Sequence, residues 1–322
     1  MSLSEMQVFN TYIMPATIET LAEMVSKFNE ASAGAIALTT DGFDGDFLQE
    51  SFFQSIHSAQ RRVDRYGSNS SASATDLTQQ KRDSVKIAGG FGPIRYEPSQ
   101  MTWLRKPTAE GIEVASRNFA EALLKDQLYT AIAALVAAIE NRSALVADES
   151  ATGALTQSTL NNSHALFGDH SQSIVAQVMD GAAFHKLIGQ NLTNNARLFE
   201  ALNVQVVDIL GKRVVVTDAP ALFEAGTPAK RKSLGLVAGA AVVHDGADLI
   251  SNIETSNGKQ RIETTMQVDY TFGLGLKGYT WDTTNGGKSP SDADIGTGSN
   301  WDKVVTSNKH TAGVLAVGDA DQ

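Results

Sequence analysis

Gly273, Gly275 and Gly278 spell G-x-G-x-x-G, the spacing that lets a backbone approach a pyrophosphate at the start of a helix. The residues that follow, Tyr279, Thr280 and Trp281, continue a strand and open no helix, so these glycines read as a bend in a sheet. Gly287-Lys288-Ser289 matches the end of a P-loop, but Asp282 holds the place of its first glycine. Six histidines, His57, His164, His170, His185, His244 and His310, form no H-E-x-x-H and no pair one or two turns apart on a helix, which leaves zinc without a ligand set. Asp169-His170-Ser171 carries the residue types of a hydrolytic triad, yet neighbours in sequence cannot adopt triad geometry, and no G-x-S-x-G elbow is present. Glu110 and Glu113 are a carboxylate pair on a long helix, where a solvated face or a subunit contact is the expected role. Asn69-Ser70-Ser71 and Asn191-Leu192-Thr193 are glycosylation sequons by spelling, in a chain with no secretion signal. With no Cys among 322 residues, thiol nucleophiles, thiolate metal sites and disulfides are excluded. No catalytic, cofactor-binding or metal site is expected.

The elements that would have to position such residues read as α+β. A helix over about 15–31 carries Ile18, Leu21, Val25 and Phe28 at helical spacing behind Pro15; a strand over 35–40 and a helix over about 46–62 follow. The run 67–75, Gly-Ser-Asn-Ser-Ser-Ala-Ser-Ala-Thr, reads as a flexible tip, and 60–100 as a long, poorly packed excursion, a hairpin broken by Gly89, Gly90, Gly92 and Pro93. From Pro107 to Asn141 the chain predicts one long helix, with stripes Ile112, Ala115, Phe119, Leu123 and then Leu128, Ile132, Leu135, Ile139. Its 35 residues would span ~52 Å, the full width of a globule of this length. Beyond it come helices over about 154–166 and 182–188 and strands over 174–179, 204–209, 213–217 and 234–243. A long strand pair is expected over 260–281, with Ile262, Thr264, Met266, Val268 and Tyr270 on one parity, and a terminal strand at 314–317. No stretch is read as a membrane span, and no signal peptide opens the chain. The partition is an N-terminal arm and first helix (1–50), an extended loop (51–106), the spine helix (107–141), a mixed domain (142–259), and returning strands with a C-terminal segment (260–322).

The formal charge is −10, from 26 Lys and Arg against 36 Asp and Glu, which disfavours a groove reader of nucleic acid. Residues 51–106 stand apart, with nine basic and four acidic residues, +5, leaving −15 elsewhere. A basic segment on an acidic body can pair with copies of itself. Arg61, Arg62, Arg65, Lys81, Arg82 and Lys86 are therefore the candidate inter-subunit contacts. An excursion of about 40 residues that cannot pack on its own body must be disordered or lie on a neighbour.

This order of elements resembles the major capsid protein of tailed bacteriophages, the Hong Kong 97 fold. Lys86-Ile87 with Gly92-Pro93-Ile94 before the spine is similar to one branch of that family. So are Phe167-Gly168-Asp169 ahead of Ile174-Val175-Ala176-Gln177-Val178-Met179, Leu210-Gly211-Lys212-Arg213-Val214-Val215-Val216-Thr217-Asp218, and Gly278-Tyr279-Thr280-Trp281. The resemblance covers about 10–281. It implies an N-terminal arm, an extended loop, a peripheral domain with spine helix and long strands, and an axial domain. It also implies a subunit forming hexamers and pentamers that close an icosahedral phage head around double-stranded DNA, made in the host cytoplasm and carried in the virion. A portal and a decoration protein are the further partners it implies. Some members carry a cleaved scaffolding segment of about a hundred residues; with the body starting near residue 10, a separate scaffolding protein is expected instead. Some join a loop Lys to a neighbour's Asn; Lys81 and Lys86 are loop lysines, and no partner Asn is identified. An encapsulin-like bacterial compartment, with protein cargo and no DNA, and a soluble nucleotide-binding enzyme of small oligomeric state are the alternatives.

Overall fold

The computed structural model describes residues 19, 25–26, 28–42, 47–53, 60–68, 71, 74, 76, 79–96, 109–193, 208–209, 211–246, 248–258, 260 and 263–321. Its axis is the helix α1 (Ala109–Glu140), 32 residues that at 1.5 Å each run ~48 Å. The expected spine is therefore present. Its second half is apolar on every side: Ala131, Ile132, Ala134, Leu135, Val136, Ala137, Ala138 and Ile139 are all buried, as a helix enclosed by its own fold requires. Arg117–Glu140 is in fact long and apolar enough to cross a membrane, contrary to expectation, and 61% of its 18-residue apolar window is buried inside the protein.

Two sheets share the core that α1 threads. The first holds β1 (Ile36–Gly42), β10 (Ala241–Asp245), β12 (Glu263–Leu276), β3 (Gln79–Tyr96) and β2 (Phe47–Phe53) in that order, with β11 (Ile250–Ser256) on the far half of β12. All its pairs are antiparallel except β1 with β10. The second runs β4 (Val146–Asp148), β15 (Gly313–Asp319), β9 (Lys230–Val237), β5 (Ile174–Met179), β7 (Lys212–Val216) and β6 (Asp208–Ile209), with β8 (Phe223–Glu224) on β9. Helices α2 (Gln157–Ala165) and α3 (Gly181–Thr193) contribute Leu160, Ala183, Phe184 and Leu187 to a second small core with Met179, Val214 and Ala316 of this sheet. A minor pair, β13 (Tyr279–Trp281) with β14 (Trp301–Lys303), and the one-turn helix α4 (Asp292–Ile295) complete the chain. Trp281 and Trp301 meet edge to face at 4.8 Å there.

Four expectations are corrected. The segment 46–62 is no helix where it is described: Phe47–Phe53 is β2, and 60–66 is irregular. Phe47, Leu48, Phe52 and Phe53 suit either period, and pairing of Phe47 with Val85 and Phe53 with Gln79 decides for the strand. The segment 60–100 is not loose throughout, because β3 is an inner strand of the first sheet. Its glycines make room: a Cβ on Gly89 would fall 2.7 Å from the Tyr270 ring, and Gly92, at φ +108°, lies on Met266 O where the β3–β12 register shifts. The segment 234–243 is two strands in two different sheets, joined through a turn whose Gly239 has φ +66°. Within 260–281 the long strand is β12 alone, and not one of a pair folded on itself; its partners are β3, β10 and β11, while the short β13 pairs with β14. The parity stands, with Met266, Val268 and Tyr270 buried. Of the remaining elements, helix 15–31 is helical at its described residues 19, 25–26 and 28–31, and most of 204–209 and of the tip 67–75 lies outside the described residues.

Charged groups tie the end of the spine to the second sheet. Lys232 of β9, its side chain 7% exposed, reaches Glu140 Oε2 of α1 and Glu224 Oε2 of β8, each at 2.8 Å. Burial opposes the Lys232 charge, but hydrogen bonds to the two carboxylates outweigh it and hold the ammonium above its usual 10.5. Lys232 in turn holds Glu224 below its usual 4.5. The Glu224 contribution is present above pH 4.5 and is lost as pH falls through the lowered folded value. The Lys232 contribution is complete below pH 10.5 and lost only as pH rises through the raised one. Lys232→Met should cost about 1–2 kcal/mol at pH 7, less than a wholly buried pair because both carboxylates are partly solvated. Urea unfolding at pH 7 and pH 4 checks this: the variant should lose less stability on acidification than the parent chain, and an equal loss refutes the pairing.

Candidate assembly surface

Of the six candidate contact residues, three stand clear of the body. Arg61, Arg62 and Arg65 are exposed in an irregular stretch, and no ion pair or hydrogen bond engages their side chains among the described residues. Asp64 Oδ1 accepts the Tyr66 N–H at 2.9 Å, an Asx turn that orders this stretch locally. Val63 is 65% and Tyr66 100% exposed. Arg and Tyr side chains are among the types enriched at protein interfaces, so exposed guanidinium groups beside a fully exposed phenol suit docking. Val63 and Tyr66 were legible in the sequence as an apolar and an aromatic residue beside the arginines, a signal the charge count passes over.

The other three lie on β3 and are engaged within the chain. Lys81 Nζ sits 3.0 Å from Asp83 Oδ2, and Lys86 Nζ 3.6 Å from Asp248 Oδ2, whose carboxylate also accepts the Thr271 hydroxyl. Arg82 is partly buried and has partners of its own. The aromatic contacts Phe119–Phe91 at 6.2 Å and Phe91–Tyr270 at 5.4 Å fasten β3 and β12 to the spine, and the Tyr270 hydroxyl donates to Asp126 at 2.6 Å. Burial and the Asp126 carboxylate keep that phenol protonated far above its ordinary range.

The residues that might have carried catalysis do not converge. Gly273 and Gly275 lie inside β12, and Gly278, at φ +81°, makes the turn into β13. Asp169 turns to Lys309 and leaves His170, whose ring stacks edge to face on His310 at 5.6 Å. His164 is buried, its Nε2 2.9 Å from Gln177 Oε1, and burial lowers its affinity for a proton. His244 Nδ1 lies 3.3 Å from the Thr39 hydroxyl, and the His185 ring packs on Phe184. His57 and the side chains of Glu110 and Glu113 lie outside the described residues. No group of three metal-ligating side chains occurs among the described residues. Strands, turns and a core helix are what these residues build.

A long spine helix shared by two sheets, with a long inner strand and an exposed basic stretch, is a mixed α+β arrangement of the Hong Kong 97 type. The family model for the major capsid protein 13-like (Gp13-like) proteins matches residues 5–315, and the chain belongs to that family. Solved structures agree on the fold. The chain is similar to the capsid asymmetric unit of cyanophage Pam1, at TM-score 0.51 and 14% identity over 88% of each chain. It is also similar to a structure of Mycobacterium phage Cain, at 0.51 and 10% identity over 90% of this chain and 89% of the other. A structure of Microbacterium phage Oxtober96 matches at 0.50 and 10% identity over 90% of both. No curated protein matches the sequence. The protein is a structural capsid subunit that assembles with itself into a shell and resides in the virion capsid.

Proposed function

We propose that the chain forms hexamers and pentamers that close an icosahedral head around double-stranded DNA, without catalysis of its own. The observation that carries this reading is the family match across 5–315; the net charge of −10 supports it, since a shell must enclose DNA without gripping it. Assembly takes place in the host cytoplasm with a scaffolding protein and a portal, and a decoration protein can bind the finished shell. The arm and first helix (1–50), extended loop (51–106), spine (107–141), axial domain (142–259) and peripheral strands with the C-terminal segment (260–322) are its working parts. Arg61, Arg62 and Arg65 make the inter-subunit contact, with Lys81, Arg82 and Lys86 as the base from which the loop extends. Exposure of the first three beside Val63 and Tyr66 supports this role.

Negative-stain microscopy of the expressed chain is expected to show closed shells or tubes. Single particles or small rings, with a nucleotide bound stoichiometrically in calorimetry, would overturn the reading in favour of an enzyme. Small shells filled with protein and free of DNA during infection would assign a compartment instead.

A further inference from the structure

The chain contains two Asn-Gly pairs, Asn257-Gly258 and Asn285-Gly286. With no side chain on the second residue, its backbone amide nitrogen is free to swing onto the asparagine Cγ, a reaction that underlies the thermal lability of asparagine. Whether it does so is decided by what holds the asparagine side chain and the glycine amide. Both asparagines are exposed, so access to water does not separate them.

Asn285 is held from three sides. Its Nδ2 donates to Asp282 Oδ2 at 2.6 Å and its backbone N–H to Asp282 Oδ1 at 3.2 Å. The Gly286 N–H, whose nitrogen would be the nucleophile, donates to Asp282 O at 2.9 Å. Gly286 is itself buried against Trp281: a Cβ there would fall 2.2 Å from the ring, and the indole Nε1 donates to Gly287 O at 2.9 Å. Asn257 stands at the opposite extreme. It follows Ser256, the last residue of β11, which pairs with Glu263 at the start of β12. Gly258 is exposed at φ +92°, and a Cβ on it would meet nothing within 4 Å. Among the described residues no hydrogen bond engages the Asn257 side chain or the Gly258 N–H.

We propose that Asn257 is a site of spontaneous deamidation in the folded chain, with water as the co-reactant, and that the Asp282 loop protects Asn285 from the same reaction. The Gly258 nitrogen gives its proton to hydroxide and bonds to Asn257 Cγ; the Cγ–Nδ2 bond breaks and ammonia leaves, closing a five-membered succinimide. Water then opens the ring, at Cγ to give aspartate or at the main-chain carbonyl to give isoaspartate. Each event adds one negative charge at the end of the β11–β12 hairpin, taking the formal −10 one charge lower. The iso form also inserts a methylene into the backbone there. This chemistry does not depend on the self-assembly reading.

The test incubates the full chain at mildly alkaline pH, folded and in urea, and follows both pairs by peptide mass spectrometry with chromatographic separation of aspartate from isoaspartate. In urea the two asparagines should react alike. In the folded chain Asn257 should convert within a few-fold of its rate in urea. Asn285 should be slower than in urea by about tenfold or more, because a hydrogen bond to a carboxylate and one from the nucleophilic amide must both break before the ring can close. Asp282→Ala should bring Asn285 toward its rate in urea and leave Asn257 unchanged. An Asn257 as slow in the folded chain as Asn285, or an Asn285 that converts as fast folded as in urea, would overturn the proposal. An Asp282→Ala chain that stays folded by circular dichroism and still protects Asn285 would refute the role of that loop. If Asp282→Ala unfolds the chain, the parent compared with its urea form decides alone.

Discussion

Ile132→Asp is expected to yield no soluble, assembling protein. Ile132 is fully buried in the second half of α1, in the core shared by both sheets. The sequence places this face, with Leu128 and Leu135, under the returning strands. Ile132 and Leu135 are both at 0% exposure, Leu128 packs partly buried against the same core, and elements of both sheets cover the helix. An aspartate there finds neither water nor a cationic partner and costs about 5 kcal/mol or more, comparable with the whole stability of a typical domain. Expression followed by sedimentation of the soluble fraction checks the outcome; an Ile132→Asp chain that stays soluble and builds shells refutes the placement. Ile132→Val, which trims one methylene, should cost only about 1 kcal/mol and leave assembly intact.

Reversal of Arg61, Arg62 and Arg65 to Glu is expected to abolish closed shells while the subunit stays folded. The three side chains are exposed and make no ion pair or hydrogen bond within the described residues, so their loss removes nothing from the core. Each reversal changes the charge by two, and three together take the formal −10 to −16, setting like charge against an acidic neighbour. Because such a contact is screened over ~10 Å at 0.1 M salt, the defect should be deepest at low ionic strength. Deleting Gly67 to Ala74 should still allow shells, since that segment lacks the arginines. Microscopy and circular dichroism separate the outcomes: a triple variant that closes shells as the parent does at both low and high salt would show that these arginines are not an electrostatic contact.

Both expectations draw on features that were legible before any coordinates. The spine needs only local information: a run without proline, apolar residues at helical spacing, and alanines that favour the helix wherever they fall. The parity of Met266, Val268 and Tyr270 is likewise local, since alternate residues of a strand face alternate sides. The candidate contact set was half legible. All six basic residues lie in one charged segment, yet sequence cannot tell Lys81 and Lys86, which spend their charge on Asp83 and Asp248, from Arg61, Arg62 and Arg65, which do not. Asp248 is far from Lys86 in the chain, and they meet because β12, which pairs with β3, also holds Asp248 through the Thr271 hydroxyl.

By itself, then, the amino-acid order determined the long core helix, the acidic surface with its basic segment, the exclusion of thiol chemistry and the order of elements that marks a capsid subunit. Tertiary structure decided which short apolar runs became strands and in which sheet. Phe47–Phe53 became a strand because β3 lies beside it, and 234–243 divided because its two ends pair with different partners, β9 with β15 and β5, β10 with β1 and β12. It also decided that Lys232 would meet Glu140 and Glu224. The reason is range. A periodicity of 3.6 or 2 is written in neighbouring residues, whereas a strand partner or a counter-charge can lie 204 residues away, as the Thr39 hydroxyl lies from Val243 O, and nothing local records which distant segment will arrive.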